Sequence, residues 1–184
     1  TLSATNRYHH ENSYPYPTIW INGRTVSIER VLNEKEFSIS DFEQSTFTFI
    51  KQWLSADEHF RLTTSGSTGP PKSISISREQ MIASVLRSSE RLDLQKGMTT
   101  LICINTKYIG GMMMLARSLT LGLRMMALDP IANPLIKIPV DKCVQFTAFV
   151  PYQVTSILES KHPHLLNNLD KVLIGGAPLN HNAV

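Results

Sequence analysis

The most informative part of this sequence is a loop that reads Thr64-Ser65-Gly66-Ser67-Thr68-Gly69-Pro70-Pro71-Lys72. Gly66 and Gly69 carry no side chain, so the backbone can turn sharply and bring its N–H groups close to an anion. Lys72 adds a full positive charge at the end of the loop. Hydroxyl donors stand at Thr64, Ser65, Ser67 and Thr68. The pattern predicts a loop that binds a polyphosphate.

This loop differs from a Walker loop, which ends in Gly-Lys-Ser/Thr at the start of a helix. Here Pro70 and Pro71 precede the lysine, and residues 73–77 (Ser-Ile-Ser-Ile-Ser) alternate as in a half-buried strand. Phe60 to Thr64 is also strand-like, so we expect the loop to join two strands. The alternative interpretation is a flexible Ser/Gly surface turn.

The sequence before the loop predicts a hairpin and a helix. Residues 19–28 form two short β runs joined at Asn22-Gly23, which is a strong two-residue turn signal. Ser40 and Glu43 have the spacing of a capping box. The helix that follows has an apolar face made by Phe42, Phe49, Ile50, Trp53 and Leu54.

After the loop, predicted helices and strands alternate. Ser77 and Gln80 are expected to cap the next helix. Further helices are predicted over 110–121 and from Pro151 to about residue 160, and strands over 99–105, 123–129, 144–150 and 170–174. This alternation predicts the α/β class, with layered β-sheets flanked by helices.

Composition excludes several classes of protein. A chain of 184 residues with 42% hydrophobic and 18% charged residues can bury one core. A net charge of +3 suits anionic small molecules and is too weak to indicate nucleic acid binding. The apolar stretch from Gly110 to Leu123 is interrupted by polar residues, so no membrane insertion is expected.

Cys103 and Cys143 lie in apolar runs, and we expect both to be buried, reduced thiols of a cytoplasmic protein. The polar N-terminal arm does not resemble a signal peptide. His162 and His164 are expected to be exposed loop residues, so no metal ligand is assigned. Asp129 and Asp141 have no evident partner for acid–base chemistry.

Thr64 to Lys72 resembles, residue for residue, the signature loop of the adenylate-forming superfamily. This superfamily contains acyl-CoA synthetases and other AMP-binding enzymes, peptide-synthetase adenylation domains and luciferases. The resemblance implies that the loop binds the β- and γ-phosphates of ATP. It assigns that role to Thr64, Ser65, Gly66, Ser67, Thr68, Gly69 and Lys72. Arg61 departs from the family, which usually has an apolar residue there.

Two later segments are similar to the same family. Tyr108, followed by Gly110 and Gly111, occupies the place where the family lines its acyl pocket, although Tyr108 can equally be a surface residue at the end of a strand. At the end of the last strand, the resemblance places the border between adenine and the acyl group. The residues assigned to it are Gly175, Gly176, Ala177 and Pro178.

The short leader before the loop and the run from Tyr108 to Met113 look most like o-succinylbenzoate–CoA ligases of menaquinone biosynthesis. The resemblance implies that a small-molecule carboxylate reacts with ATP, helped by Mg²⁺, to form an acyl-adenylate. Coenzyme A then opens the adenylate to a thioester. The alternatives are another fatty or aromatic acyl-CoA ligase, or a non-catalytic α/β fragment that binds an anion.

Residues 1–184 are expected to be the N-terminal portion of the AMP-binding (adenylation) domain. The later part of the large domain and the small C-terminal domain are expected to lie outside this sequence. By the resemblance, the catalytic lysine and the metal-binding glutamate lie outside it. We therefore expect that these residues alone do not form acyl-adenylate.

Overall fold

The computed structural model describes residues 14–55, 57–63 and 73–176. Its strands are β1 Thr18–Ile21, β2 Arg24–Ser27, β3 His59–Thr63, β4 Ser73–Ser77, β5 Thr99–Ile102, β6 Arg124–Ala127, β7 Val144–Phe149 and β8 Leu169–Ile174. Its α-helices are α1 Ile28–Leu32, α2 Asp41–Leu54, α3 Arg78–Leu92, α4 Ile109–Leu121 and α5 Pro151–Leu158. Two 3₁₀ turns cover Pro134–Lys137 and Pro163–Asn168.

The central sheet has six strands in the order β2-β1-β6-β5-β7-β8. Strands β1, β6, β5, β7 and β8 run parallel to one another, and β2 is antiparallel to β1. Parallel strands need long crossover connections, which helices α3, α4 and α5 help to supply. The predicted α/β class is therefore confirmed.

Alternate residues of the parallel strands enter two separate cores. Ile102 and Ala127 belong to the core beneath α2, α3 and α4. Leu101 and Met126, their neighbours in sequence, belong to the core that contains Val154 of α5. Successive side chains of a strand point to opposite faces, so the sheet is covered by helices on both sides. The continuous apolar runs read in the sequence follow from this double burial.

The predicted hairpin at Asn22-Gly23 is confirmed. Asn22 has a φ of 47° and Gly23 a φ of 89°, which is the left-handed backbone that a two-residue turn between twisted strands requires. Ile28, expected to end the second strand, instead begins helix α1. Ser27 causes this change, because its side chain accepts a hydrogen bond from the Arg30 N–H and so starts a helix.

Strands β3 and β4 form a separate antiparallel ribbon, paired from His59–Ser77 to Thr63–Ser73. The prediction that residues 64–72 join two strands is confirmed, while the loop itself lies outside the described residues. Ile74 is 44% exposed, so β4 is less buried than its alternating sequence predicted. The ribbon is not part of the six-stranded sheet, which leaves this side chain without a packed layer above it among the described residues.

Only one of the two expected capping boxes is complete. At α3 the Ser77 hydroxyl accepts from Gln80 N–H, and the Gln80 side chain accepts from Ser77 N–H. At α2 the Ser40 hydroxyl accepts from Glu43 N–H, but the Glu43 carboxylate does not return the bond. It accepts instead from the Ile39 N–H at 3.0 Å and from two side chains described below. The predicted capping box at Ser40 was therefore confirmed for the Ser40 hydroxyl and wrong for the Glu43 side chain.

The two cysteines differ in environment. Cys103 is buried and reduced, as expected, and burial raises the pKa of its thiol to about 12. Cys143 is free but exposed, so the prediction that it is buried was wrong. It lies one residue before β7 begins, and burial starts with Val144. Among the described helices, none is long and apolar enough to cross a membrane.

Candidate functional site

The carboxyl ends of the parallel strands meet at one edge of the sheet, where ligands of open α/β sheets usually bind. Tyr108, Gly110 and Gly111 follow β5, and Gly175 and Gly176 follow β8. Strand β7 lies between β5 and β8, so these two groups follow strands that are about 10 Å apart across the sheet. The phosphate-loop residues 64–72 and Ala177 and Pro178 lie outside the described residues.

Tyr108 is the N-cap residue of α4, with its side chain 45% exposed. Its side chain makes no capping hydrogen bond, and its backbone N–H donates to the carbonyl of Asn105 at 3.2 Å. The first N–H groups of a helix have no partner within the helix and carry the positive end of its dipole. The ring of Tyr108 is therefore accessible to a ligand. The assignment of Tyr108 to an acyl pocket stays a prediction.

The two glycines after Tyr108 have different surroundings. Gly110 is exposed, and a Cβ added there would first meet Ile104 at an ordinary 3.6 Å. Gly111 is buried, and an added Cβ would overlap the carbonyl of Asn105 and lie 2.7 Å from the Cα of Thr106. Gly110 therefore offers open backbone, whereas the lack of a side chain at Gly111 is explained by backbone packing.

Gly175 and Gly176 continue β8 beyond its last residue. The Gly175 N–H donates to the carbonyl of Phe149 at 3.1 Å, which holds the end of β8 beside β7. A Cβ added to Gly175 would meet no atom within 4 Å. Gly176 has a φ of 98°, a conformation that favours glycine. Both residues are exposed, so a flat group could approach this backbone closely.

Sequence reasoning missed a buried glutamine that ties this edge together. Gln153 of α5 is 3% exposed and accepts from the Val150 N–H at 3.1 Å. Its amide group donates to the carbonyls of Cys103 and Ile131, at 2.9 and 3.1 Å. One side chain thus connects the segments that follow β5, β6 and β7. Pro151 signalled the start of this helix, but the sequence gave no indication of the contacts made by Gln153.

A second group of polar residues lies where β1 and β6 end. The Asn22 amide donates to the carboxylates of Glu43 and Asp129, at 2.9 and 3.2 Å. The Ser40 hydroxyl also donates to Asp129, at 2.8 Å. The Glu43 side chain is fully buried and receives a charged hydrogen bond from Arg24 at 2.6 Å. The Asn22 amide therefore lies between the carboxylates of Asp129 and Glu43 and donates to both.

Asp129, Asn22 and Ser40 line a cleft of about 440 Å³ together with Trp20, Gly23, Ile39, Leu128, Ile131 and Lys137. This volume is within the range of small-molecule sites. The predicted residues Tyr108, Gly110 and Gly175 are not part of its wall. The cleft is thus a separate feature of the same sheet edge.

Metal-binding residues are not grouped in the part of the chain that the structure describes: it contains no set of three His, Cys, Asp or Glu side chains that could hold an ion. His162 and His164 are exposed, as predicted, with ring centroids 5.8 Å apart. Asp141 is exposed, and its carboxylate lies 3.7 Å from the side-chain nitrogen of Lys142.

This parallel sheet, covered by helices on both faces and accompanied by the β3–β4 ribbon, defines an α/β domain. The chain belongs to the AMP-binding enzyme family, whose sequence pattern matches residues 11–184. The solved structures described next include an acyl-CoA synthetase (AMP-forming)-like protein and an o-succinylbenzoate coenzyme A synthetase.

The chain is similar to an acyl-CoA synthetase (AMP-forming)/AMP-acid ligase II-like protein from Dyadobacter fermentans, with 37% identity and a TM-score of 0.74 over 83% of this chain and 43% of that chain. The N-terminal domain of FACL13 from Mycobacterium tuberculosis, solved with an inhibitor, is 19% identical with a TM-score of 0.59, over 68% of this chain and 32% of that chain. The o-succinylbenzoate coenzyme A synthetase from Bacillus subtilis, in complex with AMP, is 23% identical with a TM-score of 0.56, over 64% and 30%.

The chain spans less than half the length of each of these solved proteins. The latter two likenesses are low in identity and establish the fold alone. No curated protein matches the chain.

Proposed function

We propose that this chain is the N-terminal portion of the adenylation domain of a cytoplasmic, ATP-dependent acyl- or aryl-CoA ligase. The observation that carries the proposal is the loop Thr64–Lys72 in a member of the AMP-binding family, placed between two paired strands. A Gly- and hydroxyl-rich loop with a terminal lysine suits a polyphosphate. Pairing at Thr63–Ser73 brings the two ends of the loop together.

In the proposed reaction a carboxylate attacks the α-phosphate of ATP, pyrophosphate leaves, and the thiol of coenzyme A displaces AMP from the acyl-adenylate. The chain contributes mainly orientation and charge stabilisation. Residues 64–69 and Lys72 would hold the β- and γ-phosphates, and Tyr108 and Gly110 would face the acyl group. Gly175 and Gly176, with Ala177 and Pro178, would border adenine. Gly111 would support this pocket through its backbone packing.

Mg²⁺ would neutralise charge on the nucleotide's phosphates. The residues that the structure describes offer no cluster of ligands for it. The donor set assigned to the phosphates is made of hydroxyl, N–H and lysine groups, and of these only the hydroxyl oxygens could also coordinate a cation. We therefore place the protein ligands of Mg²⁺ outside the described residues.

For the acid that is activated, we propose o-succinylbenzoate, so that the protein would serve menaquinone biosynthesis. The support is the resemblance of residues 108–113 to that subgroup. A broader acyl-CoA ligase is the second candidate. It is favoured by the 37% identical Dyadobacter protein, whose name specifies no acid.

Replacing Lys72 with alanine is expected to weaken binding of magnesium-ATP about tenfold or more, because the loop loses its full positive charge. Isothermal titration of the complete protein with magnesium-ATP measures this. Lys72→Arg should retain part of the affinity. Lys96→Ala removes the same charge at an exposed position before β5, on the opposite edge of the sheet, and should bind as the unchanged chain does. Absence of saturable binding, or equal losses in Lys72→Ala and Lys96→Ala, would contradict the proposal.

A further inference from the structure

Arg78 is a buried arginine at the first position of α3, immediately after strand β4, with 4% of the residue exposed. Its guanidinium group donates to four backbone carbonyls. The acceptors are Gln52 at 3.1 Å, Trp53 at 2.9 Å, Ser55 at 3.2 Å and Asp57 at 2.8 Å. Among the described residues, no carboxylate forms an ion pair with it. The charge is therefore held by peptide dipoles.

These carbonyls belong to the C-terminal end of α2 and to the segment that leads into β3. The C-terminal end of a helix carries the negative end of its dipole and favours a cation. By contrast, Arg78 stands at the N-terminal end of its own helix, where a positive charge is unfavourable. Arg78 therefore opposes the charge preference at the start of α3, and its contacts with α2 offset the energetic cost. Such local conflicts are typical of positions that serve a function.

Aromatic contacts fix the orientation of the guanidinium plane. Its central carbon lies 4.7 Å from the ring centre of Trp53 and 5.4 Å from that of Phe60. Phe60 belongs to β3 and Trp53 to α2. Arg78 thus connects three elements, and a lysine ammonium could not match its planar fork.

Arg78 also closes the base of the β3–β4 ribbon. Its backbone N–H donates to the carbonyl of Glu58 at 2.8 Å, next to the last ribbon pair, His59–Ser77. One residue therefore fixes the point where the chain enters the ribbon and the point where it leaves. At the other end, residues 73–75 of β4 are exposed and add little packing of their own.

We propose that Arg78 is a positioning residue for ATP. It sets the direction of the β3–β4 ribbon relative to α2. This direction determines where the ends of the two strands, at Thr63 and Ser73, present nucleotide-binding groups. This inference rests on the proposed function. Arg78 makes no contact with the nucleotide. Because Arg78 already orders the ribbon, ATP binding does not carry the entropic cost of ordering it.

The test compares Arg78→Met and Arg78→Lys with Val85→Ala, a control on the same helix whose side chain is fully buried in the core. Thermal unfolding of each variant of the complete protein identifies a temperature at which all are folded, and magnesium-ATP is titrated there. We expect about a tenfold or greater rise in Kd for Arg78→Met, and a smaller rise for Arg78→Lys. Val85→Ala should lower the Tm with no change in Kd.

In the complete protein, steady-state kinetics give a second readout. The KM for ATP should rise in the Arg78 variants, while the KM for the carboxylate should not change. If Arg78→Met does not fold, Arg78→Lys gives the same comparison. Unchanged ATP affinity in a folded Arg78 variant, or an equal loss in Val85→Ala, would overturn the role of Arg78 alone. A complete wild-type protein that does not bind ATP would overturn both this inference and the proposed function.

Discussion

Gly111→Ala is expected to destabilise the fold by about 3 kcal/mol or more, a large part of the stability of an ordinary domain. The new methyl group would overlap the Asn105 carbonyl and the Cα of Thr106, and both of these belong to backbone. A side chain could rotate away, but here the turn before α4 or the helix itself must move. The helix carries Met114 and Leu115 in the core, so such a movement disturbs packing. Urea denaturation measures the free energy of unfolding.

Gly110→Ala is the matched control, since it makes the same change one residue earlier. Its methyl group would have an ordinary contact of 3.6 Å, and alanine is favoured over glycine in a helix by about 1 kcal/mol. We expect this variant to be as stable as the unchanged chain or slightly more stable. Equal unfolding free energies for the two variants would show that the turn before α4 is not packed as described.

Arg24→Met is expected to destabilise the fold by about 3 kcal/mol, because it leaves the carboxylate of Glu43 buried without its cation. The Glu43 side chain is fully buried, and Arg24 donates to it at 2.6 Å. The remaining donors to Glu43 are the Asn22 amide and the Ile39 N–H, which are neutral. Arg24 also donates to Glu36, and this hydrogen bond, with that from Arg30, lowers the pKa of Glu36. Chemical denaturation at neutral pH measures the loss.

Two further variants separate this effect from a general loss of surface charge. Arg30 pairs with Glu36, but its side chain is 58% exposed, so Arg30→Met should cost less than about 1 kcal/mol. Adding Glu43→Gln to Arg24→Met removes the buried charge and keeps one oxygen that can accept from the Asn22 amide or the Ile39 N–H, so it should recover part of the stability. A double variant no more stable than Arg24→Met would contradict a charge-based explanation.

Local sequence signals predicted most of the fold. The Asn22-Gly23 turn, the Ser77/Gln80 capping box and the predicted strands β5–β8 depend on neighbouring residues, and each is confirmed. The predicted strands on either side of residues 64–72 pair in register. Their pattern depends on one turn and on side-chain alternation, which are both readable in the sequence.

The errors arise where tertiary contacts override a local rule. Glu43 has the spacing of a capping residue, but Arg24 and Asn22, on the preceding hairpin, offer its carboxylate stronger partners. Cys143 stands beside an apolar strand but lies outside the packed layer. The links made by Gln153 and Arg78 join residues that are far apart in sequence or belong to different elements. No periodicity or spacing encodes such contacts, so they required the structure.

The central claim is that the protein activates a carboxylic acid with ATP, and AMP release by the complete protein tests it most directly. The complete protein is incubated with magnesium-ATP, coenzyme A and each member of a carboxylate panel that includes o-succinylbenzoate, fatty acids and aromatic acids. We predict AMP formation that requires a carboxylate and is fastest with o-succinylbenzoate. Preference for a simple fatty acid would remove the menaquinone assignment, and no carboxylate-dependent AMP from any acid in the panel would contradict the central claim.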